Sequence, residues 1–337
     1  MISVGVVGTG SLGFHHARIL RDLDGVEMHG IYEARQERAL EVAGELGVTA
    51  HPSLESLLDE VDAVVVAVPT VAHEAVAVAA LERGVHVLIE KPMAPSLEEA
   101  DRILSAARAG GGLIQIGHVE RFNAAIRAAV PYLDRPLFVE SHRLAPFTLR
   151  STDVAVVLDL MIHDVDLVQS LVRSPIVDIA ASGMPVLTPT IDIANARLTF
   201  QSGAVANLTA SRVSMERMRK LRIFQPSGYL SLDLAAGTGE FLRLKRDLPL
   251  FSGEGEQAAG GLTPEALSGA GLAALVERIP LQGDGGEPLR KELESFRDAV
   301  VGKAPPAVSG EEGRAALEVT LSIEERIRKH VADSRPA

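Results

Sequence analysis

The chain has no cysteine, which excludes disulfides, thiolate metal sites and cysteine nucleophiles. It has no apolar run of the roughly 20 residues needed to span a bilayer. It has no long lysine or arginine run, and its formal net charge is −12, so neither nucleic acid nor a membrane surface is an expected partner. The opening residues MISVGVVGTG lack the basic segment and small-residue cleavage site of a signal peptide, and a cytoplasmic protein is the simplest expectation. Repeats and heptads are missing as well. With 47% hydrophobic and 23% charged residues, the 337-residue chain has the make-up of a globular protein large enough for two domains. A local basic patch for one small phosphorylated ligand remains compatible with the acidic total.

Among the residues that are present, glycine is the first informative one. SVGVVGTGSLGFHHARIL is an apolar run, a glycine-rich turn and then a helical pattern. Gly8, Gly10 and Gly13 form G-x-G-x-x-G. The first allows a tight turn, the second lets a pyrophosphate approach the backbone, and the third allows close helix–strand packing. Ser11 and Leu12 sit where the helix N-terminus would face the phosphates. VEMHGIYE ends at Glu33, twenty residues after Gly13, where a carboxylate accepts hydrogen bonds from an adenosine ribose. The alternative is a solvated strand-end carboxylate. Glu33 favours NAD over NADP by repelling a 2′-phosphate, while the nearby Arg35 and Arg38 pull the other way. The alternation continues through DAVVVAVP (62–69), a helix from 73 to 84, VHVLIEKP (85–92), a further helix, and LIQIGH (113–118). Strands alternating with helices imply a doubly wound parallel sheet, with ligands at the carboxyl ends of the strands. Pro69, Thr70, His73, Glu90, Lys91 and His118 therefore become candidate site residues.

From about residue 136 the pattern turns β-rich, with QSGA (201–204) as a tight turn, and predicts a mostly antiparallel sheet carrying one or two helices. Residues 251–286 read as a loop with at most a short helix. EPLRKELESFRDAVVG (287–302) is amphipathic, with Leu289, Leu293, Phe296 and Val300 on one face, and a last helix covers roughly 310–330.

VVLDLMIHDVDLVQ (156–169) sets three aspartates and a histidine among aliphatics. On a helix, Asp159, His163, Asp166 and Ser170 share a narrow stripe, with apolar faces around it. Asp164 falls outside the stripe and has no evident role. Buried carboxylates and imidazoles need partners or a cavity, so the stripe lines either an internal polar network or a site. No second histidine stands at helical spacing, and no metal site is expected. Lys91, directly after an aliphatic strand, is either a group that hydrogen-bonds a reacting hydroxyl or a strand-end lysine with its head in solvent.

These motifs carry a resemblance. V-G-x-G-x-x-G-x-x-H at 7–16, V-P-T-x-x-H at 68–73, G-V-H-V-L-I-E-K-P at 84–92 and D-x-x-x-H-x-x-D at 159–166 make the chain similar to Gfo/Idh/MocA oxidoreductases over nearly its whole length. The resemblance implies a Rossmann domain (1–120), then a second α/β domain (121–330) with a large open, mostly antiparallel sheet. The C-terminal helices are free to pack back on the first domain. It implies that Lys91, Asp159 and His163 meet beside a nicotinamide, with a cis bond before Pro92, and that the protein forms a homodimer or homotetramer. Val68-Pro69-Thr70 departs from the family's frequent Thr-Pro-Asn. GHVERFNAA (117–125) and SHRLAPFTLRSTDVAVVLDLMIHD (141–164) resemble a subgroup acting on UDP-N-acetylhexosamines, which oxidises the sugar 3-hydroxyl for lipid A or surface polysaccharide precursors. Arg121, Arg143 and Arg150 are then candidates to clamp a diphosphate, and His118 and Asn123 to contact the sugar. Under this resemblance His163 is the base, Lys91 polarises the oxygen and Asp159 orients the pair, although Lys91 and His163 could exchange roles. A dehydrogenase of free inositol or another polyol, and a cofactor-binding regulator without turnover, are the competing readings.

Overall fold

The computed structural model describes residues 1–148, 154–245 and 275–333. The first part of the chain alternates as expected: β1 (Ile2–Val7), α1 (Ser11–Arg21), β2 (Val26–Tyr32), α2 (Gln36–Leu46), β3 (Thr49–Ala50), α3 (Leu54–Leu58), β4 (Ala63–Val66), α4 (His73–Leu81), β5 (His86–Glu90), α5 (Leu97–Gly110) and β6 (Ile114–Gly117). The strands form one six-stranded parallel sheet in the order β3-β2-β1-β4-β5-β6. A parallel sheet is covered on both faces, which is why β4 can be aliphatic at every position and wholly buried. The strand order reverses between β1 and β4, so a crevice opens beyond their carboxyl ends.

The second part contains α6 (Ala124–Ala129), β7 (Phe138–Leu144), a π turn (Val157–Met161), α7 (Ile162–Val172), β8 (Ile176–Met184), β9 (Ile193–Phe200), β10 (Val205–Ser211), β11 (Met218–Gln225), β12 (Gly228–Asp233), β13 (Thr238–Leu244), β14 (Val276–Gln282), α8 (Pro288–Val300) and α9 (Gly310–Asp333). Eight strands make a second sheet, β14-β13-β12-β11-β7-β10-β9-β8, antiparallel throughout except where β7 and β10 run parallel. Two expectations need correction. Residues 276–282 form an edge strand rather than a loop. Pro280 breaks the strand signal in the sequence, but an edge strand tolerates a missing amide donor. Residues 251–274 lie outside the described residues. The helix through 157–172 is also not uniform, because its first turn is widened to π geometry.

One face of the large sheet is apolar. Ala194, Ala196, Leu198, Phe200 and Leu208 pack in one core with Val165 and Val168 of α7 and Ile323 and Ile327 of α9. The opposite face carries polar pairs across strands, such as Asn195 with Thr209 and Arg197 with Asn207. The last helices pack back on the first sheet. Leu293 and Phe296 of α8 join the core of Val4 and Ile19, and Leu317 of α9 joins that of Ile116. Gln115 in β6 ties them further, accepting from the Ala307 amide and donating to the Glu292 carbonyl. No helix among the described residues is long and apolar enough to cross a membrane.

Candidate active site

A cavity of about 800 Å³ occupies the crevice between β1 and β4. Gly8, Gly10, Ser11 and Leu12 line it from the glycine loop, Glu33 and Arg35 from the end of β2, Pro69, Thr70 and His73 from the segment after β4, and Glu90 and Lys91 from the end of β5. Gly13 stands behind this wall, where a Cβ would come within 1.9 Å of the Gly8 carbonyl oxygen, so only glycine lets α1 seat on the loop. Gly8 adopts φ 87°, the left-handed region. A Cβ on Gly10 would meet nothing within 4 Å, and α1 begins there without a side-chain cap. Open space against uncapped helix amides fits the pyrophosphate of a dinucleotide.

Glu33 is held firmly. Its carboxylate accepts from the Thr9 amide at 2.9 Å and from Arg35 Nε at 3.0 Å. Burial alone would raise its pKa, but these hydrogen bonds outweigh burial and bring it down to about 2. A full negative charge therefore stands where a ribose would lie. Arg35 is spent on Glu33, and Arg38 donates to the Thr9 carbonyl at 3.0 Å.

At the other end, Glu90 pairs with buried His16 at 2.6 Å and its Oε2 accepts from the Lys91 amide at 3.3 Å. The Lys91–Pro92 bond is cis. His73 lines the cavity with its ring, but its nitrogens lie 3.0 Å from the Pro92 and Val68 carbonyls. Burial lowers its pKa and keeps it neutral, so one N–H serves one of the two carbonyls. His73 is thus held between the Val68 and Pro92 carbonyls, one ring nitrogen donating and the other facing a carbonyl.

Lys91 Nζ donates to the Asp159 carbonyl oxygen at 2.7 Å and lies 3.4 Å from Asp159 Oδ1, both presented by the π turn. Such widened turns recur at functional sites because they re-aim backbone and side chains. His163 follows on the first turn of α7, with Nδ1 buried and unpartnered among the described residues. Burial, then the positive charges of Lys91 and Arg143, push its pKa well below the usual imidazole value. A neutral imidazole beside a lysine can take a proton from a hydroxyl that the lysine polarises. His118 stands edge-on to His163, ring centroids 6.4 Å apart, fully buried and with neither nitrogen partnered among the described residues.

The expected arginine clamp needs correction. Arg143 of β7 is 3% exposed and donates twice to Asp164 (2.8 and 3.0 Å) and once to Glu120 (2.7 Å). Arg121 makes a bidentate pair with Asp166 (2.8 and 2.7 Å) and reaches Glu312. Asn123 caps α6 through the Ala125 amide and donates to Glu120 and to the Leu234 carbonyl. Unpaired, these groups would be costly to bury, so the fold has given each an internal partner. All three are struts. Asp164, unassigned in the sequence, is the strap that binds α7 to β7, and Asp166 serves Arg121 rather than the reacting end. Arg150 lies outside the described residues.

Two charged residues stand near the site that sequence reasoning missed. Arg219 of β11 faces Glu120 at 3.6 Å with a side chain 42% exposed, and its charge helps depress the His163 pKa. The register sets it opposite Arg143, which is visible only once the strands are paired. Glu292 of α8 is wholly buried, with both carboxyl oxygens unpartnered among the described residues. Burial, then the charge of Glu90, raises its pKa well above the usual carboxyl value. Its one signal in the sequence is a glutamate directly before Leu293 on the apolar face.

Known proteins match this chain over nearly its whole length. Residues 2–118 match the family described as "Oxidoreductase family, NAD-binding Rossmann fold", and residues 114–231 match the "GFO/IDH/MocA C-terminal domain". The UDP-N-acetylglucosamine 3-dehydrogenase of Acidithiobacillus ferrooxidans is 37% identical over 331 residues, 95% of this chain and 96% of that one. A solved structure of that enzyme superposes with a TM-score of 0.85 at 34% identity, covering 97% of this chain and 98% of the other. The myo-inositol 2-dehydrogenase of Thermotoga maritima is 25% identical over 333 residues, 93% and 92% of the two chains.

Proposed function

Because the chain belongs to the Gfo/Idh/MocA oxidoreductase family, we propose that it oxidises a ring hydroxyl of a UDP-N-acetylhexosamine, the 3-hydroxyl, with NAD as the acceptor. The observation that carries this reading is the end-to-end likeness to the Acidithiobacillus enzyme, whose match covers both sheets. The inositol dehydrogenase is also alike from end to end, but at lower identity, and free inositol becomes an outcome of the test.

The residues divide the work. The glycine loop and Glu33 hold a dinucleotide, Glu33 favouring NAD through its fixed charge. When bound, the nicotinamide supplies the hydride acceptor. His163, kept neutral, takes the hydroxyl proton. Lys91 polarises the hydroxyl oxygen, and Asp159 holds Lys91 through its carbonyl and carboxylate. Arg219 replaces the internally paired arginines as the cation for the diphosphate. The 3-keto product suits an aminotransferase, and the reaction is read as a step toward precursors of lipid A or surface polysaccharide. The family's pairing through the open sheet makes a homodimer or homotetramer the expected assembly.

The deciding measurement is NAD reduction by UDP-N-acetylglucosamine, followed through absorbance of the reduced nicotinamide, with free myo-inositol in parallel. Turnover with the nucleotide sugar alone is expected. Turnover with inositol and none with the nucleotide sugar overturns the assignment.

A further inference from the structure

We propose that His29, His51 and Glu60, on the outer edge of the nucleotide-binding sheet, form a site for a divalent transition-metal ion of the zinc class. One ligating atom from each lies within 4.8 Å of the others. Two imidazoles and a carboxylate are a donor set that zinc accepts, with a fourth position left for water. The sequence does not announce the site, because its residues come from three separate elements.

His29 is brought there by a β-bulge. Val4 of β1 pairs with Met28 and Gly5 with Gly30, so His29 is the extra residue of β2, and a bulge re-aims the side chain it carries. His29 Nε2 lies 2.5 Å from Glu60 Oε2, and the His29 and His51 ring centroids are 5.5 Å apart. Glu60 is just past α3 on the way to β4, with a side chain 54% exposed.

His51 carries the inference. It is 8% exposed, and its Nε2 is buried without a partner among the described residues. Its tautomer follows from Ser56. The Ser56 hydroxyl donates its one proton to the Ser53 carbonyl at 2.9 Å and accepts from the Ser53 amide at 3.4 Å. At 3.5 Å from His51 Nδ1 it can therefore only accept. Nδ1 then carries the proton and Nε2 is a bare lone pair with no donor. Metal-bound histidines are oriented in this way, by an outer hydrogen bond to the other ring nitrogen. The ring fits because residue 30 is glycine: a Cβ there would come within 2.8 Å of His51 Nε2. Zinc–nitrogen bonds of about 2.0–2.1 Å would draw the ligating atoms to roughly 3.4 Å apart. Half-buried His29 and exposed Glu60 can make that movement by changing rotamer. The ion would join the bulge of β2, the chain after the two-residue β3 and the turn before β4, and so clip the thin edge of the sheet.

The test uses the full-length protein without a histidine tag, stripped with a chelator. Co²⁺ is titrated under equilibrium dialysis and visible absorption, Zn²⁺ is added as competitor, and thermal melting is followed with and without Zn²⁺. Saturable uptake of one ion per chain, a low-coordinate cobalt spectrum abolished by Zn²⁺, and a Zn²⁺-dependent rise in melting temperature are expected. His29→Ala and Glu60→Gln remove side chains 29% and 54% exposed, and each variant's melting temperature is read as the difference with and without Zn²⁺, which should shrink. Each should weaken binding by at least the roughly 10–100-fold that loss of an outer hydrogen bond alone costs. Absence of stoichiometric uptake, or uptake unaltered in both variants, overturns the proposal.

Discussion

Replacing Glu33 by alanine tests the cofactor site most directly. The carboxylate is fixed by the Thr9 amide and Arg35, and its pKa of about 2 keeps it fully charged in any ordinary assay. Hydrogen bonds from a charged group contribute about 1.5–3 kcal/mol, so losing them to a ribose should lower kcat/KM for NAD by roughly 10- to 150-fold. The effect on NADP has the opposite sign. Unit charges 4 Å apart at an effective dielectric of about 20 repel by about 4 kcal/mol, an upper bound on the barrier Glu33 raises against a 2′-phosphate. Its removal also frees Arg35, now paired at 3.0 Å, to meet that phosphate. Glu33→Ala should therefore fall with NAD and gain with NADP in initial-rate measurements. The depressed pKa adds a second check. A carboxylate with a lowered pKa loses its charge only as pH falls through that value, so the wild-type preference for NAD should persist unchanged into mildly acidic assays. A wild-type enzyme that prefers NADP, or a variant whose NAD/NADP ratio does not move, refutes the reasoning.

Other substitutions address the remaining parts. His163→Ala should lower kcat by roughly 10²–10⁴-fold while cofactor binding, read by fluorescence titration, stays intact. The neutral imidazole is the active form and its pKa is depressed, so the acid limb of kcat/KM against pH should lie below the ordinary value of about 6.5; a limb at or above it would remove His163 as the base. Arg143→Met strands Asp164, 2% exposed, and leaves Glu120 only Asn123 and Arg219, and should destabilise the protein by about 3–5 kcal/mol in chemical denaturation; an unchanged midpoint would show that the strap contributes nothing to stability. Arg219→Ala should raise KM for UDP-N-acetylglucosamine by roughly tenfold or more with little change in kcat, and equal effects on a free sugar would remove it from the diphosphate.

The first sheet was legible because buried parallel strands leave uninterrupted aliphatic runs, and because the glycines at 8 and 13 are required by a left-handed turn and a close helix contact that no other residue meets. The amphipathic stripe of α8 was equally clear, with Leu293 and Phe296 in the core. The second sheet was legible as a class, not as an order. The parallel pairing of β7 with β10 and the edge strand around Pro280 depend on contacts far apart in the chain. Charged residues were the least legible. Arg121 and Arg143 look alike in sequence to Arg219, and only strand register and burial divide the first two, enclosed by carboxylates, from the third, open to solvent. Glu292 follows the same logic, since its raised pKa is due to a core and a neighbour more than 200 residues away in the chain.

The aspartates and histidine around 159–166 show what distinguishes a working group from a supporting one here. A buried ionisable side chain must find partners, and the number it has found indicates what is left for chemistry. Asp164 has both oxygens on Arg143, and Asp166 has both on Arg121. Each is held at both oxygens by an arginine, and both fix α7 in place. Asp159 commits its carbonyl to Lys91 at 2.7 Å but meets it with its carboxylate only at 3.4 Å, a contact loose enough to tighten or release. His163 has found no protein partner for Nδ1, and burial and nearby charge hold it in its proton-accepting form. The unsatisfied member of the set is the one beside Lys91. The satisfied members account for its rigidity, since a base must be held within a few tenths of an ångström of its proton before its pKa matters.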